Sequence, residues 1–376
     1  MLIGVPKEIK NHEYRIGLTP ASVRELVGRG HQVAVETSGG VEIGFDDESY
    51  RTAGATIVET PEEIFASADM IVKVKEPQPH ECRQLRKGQL LFTYLHLAAD
   101  SVQAKLLAQS GATCIAYETV TDFSGALPLL APMSEVAGRL SVQAGAYHLQ
   151  KAQGGMGALL GGVPGVAPAK VLVIGGGVVG TQAAVMASGL GADVTILDRS
   201  LPRLRQLDTE FSGRIKCVYS STEAIEQYSL EADLVVGAVL IPGAAAPKLL
   251  TRELISRMKK GAVVVDVAID QGGCFETSKA TTHQAPTYVV DDVIHYCVAN
   301  MPGAVARTST MALNNATLPF VLALADRGAE AAMQDNPHLL AGLNVYRGQV
   351  TCEAVALALE TDFIPAKSAL HAAVAA

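Results

Sequence analysis

Residues 171–184, VLVIGGGVVGTQAA, run from an apolar strand through a glycine turn into the small-residue start of a helix. Gly175, Gly177 and Gly180 stand in the spacing G-x-G-x-x-G, and each glycine has a separate task. The first allows the tight turn, the second lets a pyrophosphate approach the backbone, and the third lets helix and strand pack closely. The helix then offers its unpaired N–H groups to the phosphates. Alone this is a weak signal, because any sharp strand-to-helix connection uses glycine. The added test is an acidic residue closing the next strand. DVTILD supplies Asp198, eighteen residues after Gly180. A carboxylate there accepts hydrogen bonds from a ribose 2′-hydroxyl and repels a 2′-phosphate. The stretch predicts a dinucleotide cradle that prefers NAD to NADP, with the neighbouring Arg199 as a small counterweight.

The cradle begins deep in the chain, so a complete domain must precede it. The 376 residues exceed the size at which one hydrophobic core keeps growing, which predicts two domains. With 49% hydrophobic and 18% charged residues and a net charge of −8, the composition suits a well-packed α/β protein. It argues against a nucleic-acid surface, which needs a basic stripe. Six scattered cysteines show no C-x-x-C pair and no metal-ligand spacing, so they predict small core residues in a reducing compartment and no metal site. MLIGVPKEIK lacks the long apolar core of a signal peptide. The greasiest region, ALLGGVPGVAPAKVLVIGGGVVG, is broken by Pro, Gly and Lys170 and makes a poor membrane span. A cytoplasmic protein without a membrane or nucleic-acid partner is expected.

Before residue 130, strand and helix patterns alternate. MLIGVP, HQVAVE, MIVKVK, LLFTYLHL and TCIAYET read as strands, and LTPASVRELVGRG as a helix capped by Thr19 with Pro20 at its first position. Short apolar strands separated by helices imply a parallel sheet covered on both faces. A helix around Met133 to Lys151 and a glycine-rich connection follow. From Lys170, six strand candidates ending with TYVVDDV repeat the rhythm. Beyond about residue 300 the chain reads as helical with no new sheet, returning to the first domain. The prediction is an α/β fold of two doubly wound parallel-sheet domains, a Rossmann NAD-binding domain (131–303) inserted into a substrate and catalytic domain (1–130 plus 304–376).

Four polar residues stand where they are costly or exposed to a ligand. Lys73 and Lys75 alternate in MIVKVKEP, on one face of a strand, with Lys75 nearer the C-terminal end where open α/β sheets bind ligands; a solvated edge strand is the plainer reading. His96 closes LLFTYLHL and Asp270 closes AVVVDVAID, each at a strand's C-terminal edge. Arg15 sits in the loop leaving the first strand. A structural histidine, a helix N-cap or turn residue, and a surface arginine are the plainer readings of those three.

Together these residues resemble the alanine dehydrogenase family almost end to end. The runs that carry the likeness include IGVPKEIKNHEYRIGLTP, VKVKEPQP, LLFTYLHLAAD, APMSEVAGRLSVQAGA, GGMGALLGGVPGVAPAKVLVIGGGVVG, VVVDVAIDQGGCFETS and VANMPGAVARTST. The resemblance implies NAD-dependent interconversion of L-alanine with pyruvate plus ammonium, by a homohexamer. It implies substrate binding by Arg15 and Lys75 and catalysis by His96 and Asp270. Cofactor contacts are implied for Ser134, Gly175, Gly177, Val178, Val179, Gly180, Asp198, Arg203, Ser220, Val239 and Leu240. The same holds for Val267, Ala268, Ile269 and Asp270, and for Val298, Ala299, Asn300 and Met301. The chain departs from the family at ETSKATTH, where an arginine and a proline are expected, which leaves a nucleotide contact at Lys279 open.

On this reading Arg15 holds the substrate carboxylate, Lys75 adds a second cation, and His96 with Asp270 handles protons. Arg15, Lys75 and His96 come from one domain and Asp270 from the other, so domain closure is expected to assemble the site. Three rivals remain. The NAD-binding subunit of a proton-translocating transhydrogenase needs a membrane partner and a different loop at SGALPLLAPMSEVAG. A D-2-hydroxy-acid dehydrogenase needs an Arg, Glu, His set that His283 and His295 do not supply. A non-catalytic NAD-sensing protein leaves the four polar residues without a purpose.

Overall fold

In the computed structural model the chain is described over residues 1–239 and 246–374. It divides into two units, Met1–Met133 with Val305–Ala376, and Ser134–Ala304. The first unit opens with strands β1 (Leu2–Val5), β2 (Gln32–Glu36), β3 (Thr56–Val58), β4 (Met70–Val72), β5 (Leu90–Thr93) and β6 (Thr113–Ala116). The second holds β7 (Lys170–Ile174), β8 (Asp193–Asp198), β9 (Lys216–Tyr219), β10 (Leu234–Gly237), β11 (Val263–Asp266), β12 (Thr287–Val290) and β13 (Val293–Tyr296). The chain then returns to the first unit with β14 (Leu343–Tyr346) and β15 (Gln349–Val350).

Both sheets are doubly wound. In the first the order is β15-β14-β6-β5-β4-β1-β2-β3, so the winding reverses between β1 and β4. In the second it is β12-β13-β11-β10-β7-β8-β9, reversing between β7 and β10. All pairings are parallel except those of β12 with β13, β14 with β15 and β14 with β6. Strands such as β4, β5, β10 and β11 are buried at every position, as strands covered on two faces must be. The period of two decides which face each side chain serves. Val171 and Val173 of β7 join one apolar cluster, and Leu172 and Ile174 join the cluster on the opposite face.

Small residues let the glycine-turn helix, Val178–Gly189, lie close on its sheet. Ala183, Ala184 and Ala187 are buried. A Cβ added at Gly180 would stand 1.8 Å from the carbonyl oxygen of Gly175, a contact only glycine avoids. Helix starts follow the sequence signals. Thr19 caps Pro20–Gly28 through the N–H of Ser22, and Ser221 caps Thr222–Glu231 through that of Ala224.

Three expectations are corrected. The MIVKVK strand ends at Val72, and β4 is a central strand, so Lys73 and Lys75 lie on the segment leaving it rather than on a solvated edge. TYVVDDV is one arm of a hairpin whose turn residues Asp291 and Asp292 both have positive φ, and the other arm, β13, pairs with β11. The C-terminal region is not wholly helical. A second such hairpin turns at Arg347 and Gly348, again with positive φ, and adds β14 and β15 to the first sheet. An arginine at a left-handed position is not a turn signal, which hid this hairpin.

Gly180→Ala is expected to lower stability by about 1–3 kcal/mol, as overpacking against backbone does. Gly177→Ala, where nothing lies within 4 Å of the added Cβ, should unfold close to the wild-type temperature. Thermal unfolding followed by circular dichroism distinguishes the two.

Candidate active site

Loops leaving neighbouring parallel strands at a switch point have room for a ligand, because their helices go to opposite faces. In the first unit these loops follow β1, β4 and β5, and they carry Arg15, Lys75 and His96. The loop after β1 crosses the end of β4 so closely that a Cβ at Gly17 would stand 2.3 Å from the carbonyl oxygen of Val72. Arg15 is almost completely buried there. Its Nε donates to Oε1 of Glu13 at 2.6 Å and its Nη2 to Oε2 at 2.5 Å, a two-point ion pair. Its Nη1 donates to Met133 Sδ at 3.2 Å. Glu13 therefore locks the guanidinium and balances its charge.

Lys73 is fully buried and ion-paired on both sides, to Glu81 at 2.8 Å and Glu8 at 3.2 Å. Burial disfavours the ammonium, but the two carboxylates outweigh it and hold Lys73 above its ordinary range. The other oxygen of Glu8 accepts the backbone N–H groups of Val74 (2.6 Å) and Lys75 (3.1 Å). Thr93 on β5 donates to the carbonyl of Lys75. The backbone that presents Lys75 is thus held from both sides.

His96 has φ 49°, a left-handed conformation that costs a non-glycine residue of order 1–3 kcal/mol. The Glu118 carboxylate offsets this by accepting the N–H groups of His96 at 2.6 Å and Leu95 at 3.2 Å. The Tyr94 ring stacks on the imidazole with centroids 5.6 Å apart and planes at 18°. Oε2 of Glu76 lies 3.7 Å from His96 Nδ1 and 3.7 Å from Lys75 Nζ, while Oε1 pairs with Lys10 at 2.5 Å. Glu76 thus draws Lys75 and His96 together.

In the second unit the switch point lies between β7 and β10, where the glycine turn meets Ala238 and Val239. Gly175 has φ 106°, and an added Cβ would stand 2.6 Å from the Ala238 carbonyl oxygen. The space above Gly177 is open, so a side chain there would fill the place a pyrophosphate needs. Gly177 caps the following helix without a side-chain hydrogen bond. Val178 is exposed, Val179 half-buried and Gly180 buried. Asp198 closes β8 and accepts from Gly176 N and Ser200 N, both at 2.7 Å. Arg203 donates to the Gly176 carbonyl and the Thr181 hydroxyl, also at 2.7 Å, so the Gly176 peptide is held at both ends. Ser220, buried, donates its N–H to the Asp198 carbonyl. The residues present fit a dinucleotide: an open glycine turn, a helix start and a carboxylate beside them. Ser134 stands half-buried in the helix Ala131–His148. Leu240 lies outside the described residues.

Asp270 is not at the strand end. β11 stops at Asp266, and Asp270 lies exposed in the short helical turn Val267–Gln271 that follows. Buried Asp266 fixes that turn: its carboxylate accepts the N–H groups of Ala268 and Cys274 and the hydroxyl of Ser278. The Val298–Met301 run lies past β13, with Asn300 at φ 65°. His295 is fully buried, bonded to Thr277 Oγ1 and the Val293 carbonyl, and has a structural role. His283 meets the Asn300 carbonyl. The Lys279 N–H donates to Tyr288 Oη.

Glu8, Glu13, Glu76, Glu118 and Asp266 were missed from sequence. A charged residue adjacent to a predicted strand end (Glu76) or two residues from a site arginine (Glu13) is a readable signal. Glu8 and Glu118 find their partners only through the fold.

Lys73→Met would leave two buried carboxylates unpaired and is expected to cost about 3–5 kcal/mol. Unpaired buried carboxyls titrate upward, so the deficit should be smaller in mildly acidic than in mildly alkaline buffer. Denaturant unfolding at both conditions measures it.

Both units have relatives among known proteins. Residues 4–137 match the family described as alanine dehydrogenase/PNT, N-terminal domain, and residues 141–353 match its C-terminal domain. An alanine dehydrogenase of Halomonas elongata is 62% identical over 368 residues, 98% of this chain and 99% of the relative. A solved L-alanine dehydrogenase superposes with a TM-score of 0.93 at 53% identity, covering 96% of this chain and 99% of that one. A transhydrogenase from Sinorhizobium meliloti superposes with a TM-score of 0.81 at 26% identity, covering 94% and 100%.

Proposed function

This chain belongs to the alanine dehydrogenase family, and from that premise we propose how its residues carry out the reaction and which cofactor they select. The reaction is the reversible oxidative deamination of L-alanine: alanine, oxidised nicotinamide dinucleotide and water give pyruvate, ammonium, the reduced dinucleotide and a proton. The likeness to alanine dehydrogenases is twice that to the transhydrogenase in identity, which favours this reaction over the transhydrogenase reading.

NAD is the preferred dinucleotide. Asp198 ends the strand beside the glycine turn, where its charge favours a ribose hydroxyl and opposes a phosphate. Among the described residues no helix is long and apolar enough to cross a membrane. The six cysteines are free thiols, which suits a reducing compartment such as the cytoplasm. The homohexamer is carried over from the family resemblance, and light scattering decides it.

Arg15 and Lys75 bind the substrate carboxylate. What supports this is their departure from adjacent strands at the switch point of the first sheet. Glu13 pre-positions the guanidinium, so little side-chain freedom is lost on binding. When bound, the nicotinamide supplies the two-electron acceptor for the α-hydrogen. Asp270 and His96 manage the charges and protons of the substrate. The carboxylate of Asp270 stabilises the cationic iminium, and between them the two groups take the protons released as water adds and ammonium leaves.

NAD should exceed NADP strongly in kcat/KM, and Asp198→Ala should weaken NAD and narrow the gap; steady-state kinetics with both cofactors would show comparable values if the assignment were wrong. Asp270→Asn keeps shape and loses charge. It should lower kcat by roughly 10²–10⁴-fold while NADH still binds. Alanine oxidation by the folded variant tests this, and near wild-type turnover removes Asp270 from the chemistry.

A further inference from the structure

Glu76 takes no part in the chemistry proposed above, yet its Oε2 lies 3.7 Å from Nδ1 of the candidate histidine. Its Oε2 is buried and makes no hydrogen bond among the described residues, although Lys75 Nζ and His96 Nδ1 each lie 3.7 Å away. A buried carboxylate oxygen left with ion pairs alone is an unusual and costly arrangement. It is also the carboxylate oxygen that lies within ion-pair distance of His96 Nδ1. We propose that Glu76 is the positioning partner of His96, holding the proton on Nδ1 and leaving Nε2 as the atom that exchanges protons with substrate. This rests on the assignment of His96 as a proton carrier.

The imidazole is fixed from several directions. Tyr94 stacks on its face, Glu118 holds its backbone N–H, and Glu76 stands at Nδ1. The second nitrogen of a histidine is set by what the first one meets, and a carboxylate at Nδ1 fixes both tautomer and ring orientation. In the exchange, the Nε2 lone pair takes a proton from a substrate O–H or N–H, whose bonding pair stays on the substrate. Nδ1 keeps its own proton against Glu76, so the imidazolium forms next to a negative charge. The reverse step returns the Nε2 proton.

The charged groups that act most strongly on the ring are Glu76, Glu118 and Lys75. Partial desolvation of the half-exposed ring and Lys75 oppose the imidazolium, and the two carboxylates outweigh them, holding His96 above its ordinary value. Glu76 itself would be pushed up by burial, but His96, Lys75 and Lys10 hold it well below the usual carboxylate range. It therefore stays charged in neutral and mildly acidic solution. Since the raised histidine is protonated until pH climbs through its folded value, removing Glu76's charge must move that value down.

The test uses the full-length protein and reads His96 in two ways. One is the pH dependence of carbethoxylation by diethyl pyrocarbonate, followed by mass spectrometry of the His96 peptide. The other is the pH profile of kcat/KM for alanine, whose acidic limb reports the proton acceptor. Glu76→Gln should move the His96 titration and the acidic limb down by about one pH unit. Glu76→Asp, which keeps the charge, should retain most of the wild-type position, a rescue that loss of packing would not give. An unmoved carbethoxylation curve in folded Glu76→Gln overturns the proposal. So does a wild-type His96 that titrates at or below about 6.5, a measurement that needs no variant. If carbethoxylation moves while the acidic limb stays, the coupling stands and the role of His96 as proton carrier falls.

Discussion

Where a parallel strand ends, its last N–H groups point at loops that have no ladder to complete, and a buried donor without an acceptor is costly. In this chain carboxylates meet that demand at the loops after β4, β5, β7, β8 and β11. Glu8 accepts from Val74 and Lys75, and Glu118 from Leu95 and His96. Asp266 accepts from Ala268 and Cys274, and Asp198 from Gly176 and Ser200. A carboxylate can take several donors at once and makes stronger hydrogen bonds than a neutral acceptor, so one side chain can immobilise two or more peptide units. The loops of both units are rigid for the same reason, and the groups that meet substrate need little ordering when it arrives.

The same device explains the charge pattern near the site. Arg15, Lys73 and Lys75 are cations placed close together at the end of one sheet, which would repel one another if left alone. Glu13 offsets Arg15, and Glu8 with Glu81 surrounds Lys73. Lys75 shares Glu76 with Lys10 and His96. The cations become a positioned set, and the two that are fully enclosed, Arg15 and Lys73, are each matched by buried carboxylates.

How much of this could be read from the letters depended on distance along the chain. The glycine turn, its helix and Asp198 form a local pattern, and local steric rules make them legible. The alternation of short apolar strands with helices revealed two wound sheets for the same reason. The end of β4 was misjudged because Lys73 and Lys75 continue the period of two beyond Val72, although the chain has already left the ladder. Asp270 looked like a strand end, since nothing in AVVVDVAID betrays that Asp266 bends the chain into a turn. Glu8 and Glu118 carry no local signal, because the peptide groups they accept lie 22 to 67 residues away.

The first sheet has its strand β6 flanked by β14, which the ribosome delivers more than two hundred residues later. Throughout that interval the nascent chain carries an open edge of unpaired N–H and C=O groups on a strand, TCIA, that is buried at every position in the finished sheet. The inserted unit, by contrast, has all its strands from one continuous segment and can close its sheet as soon as it emerges. Biosynthesis thus meets the two units in the reverse of their order in the gene: the interior segment matures first, and the half-made sheet before it waits for the tail. A chain interrupted before residue 343 keeps that edge exposed, which makes premature termination a hazard of aggregation rather than of simple loss of activity.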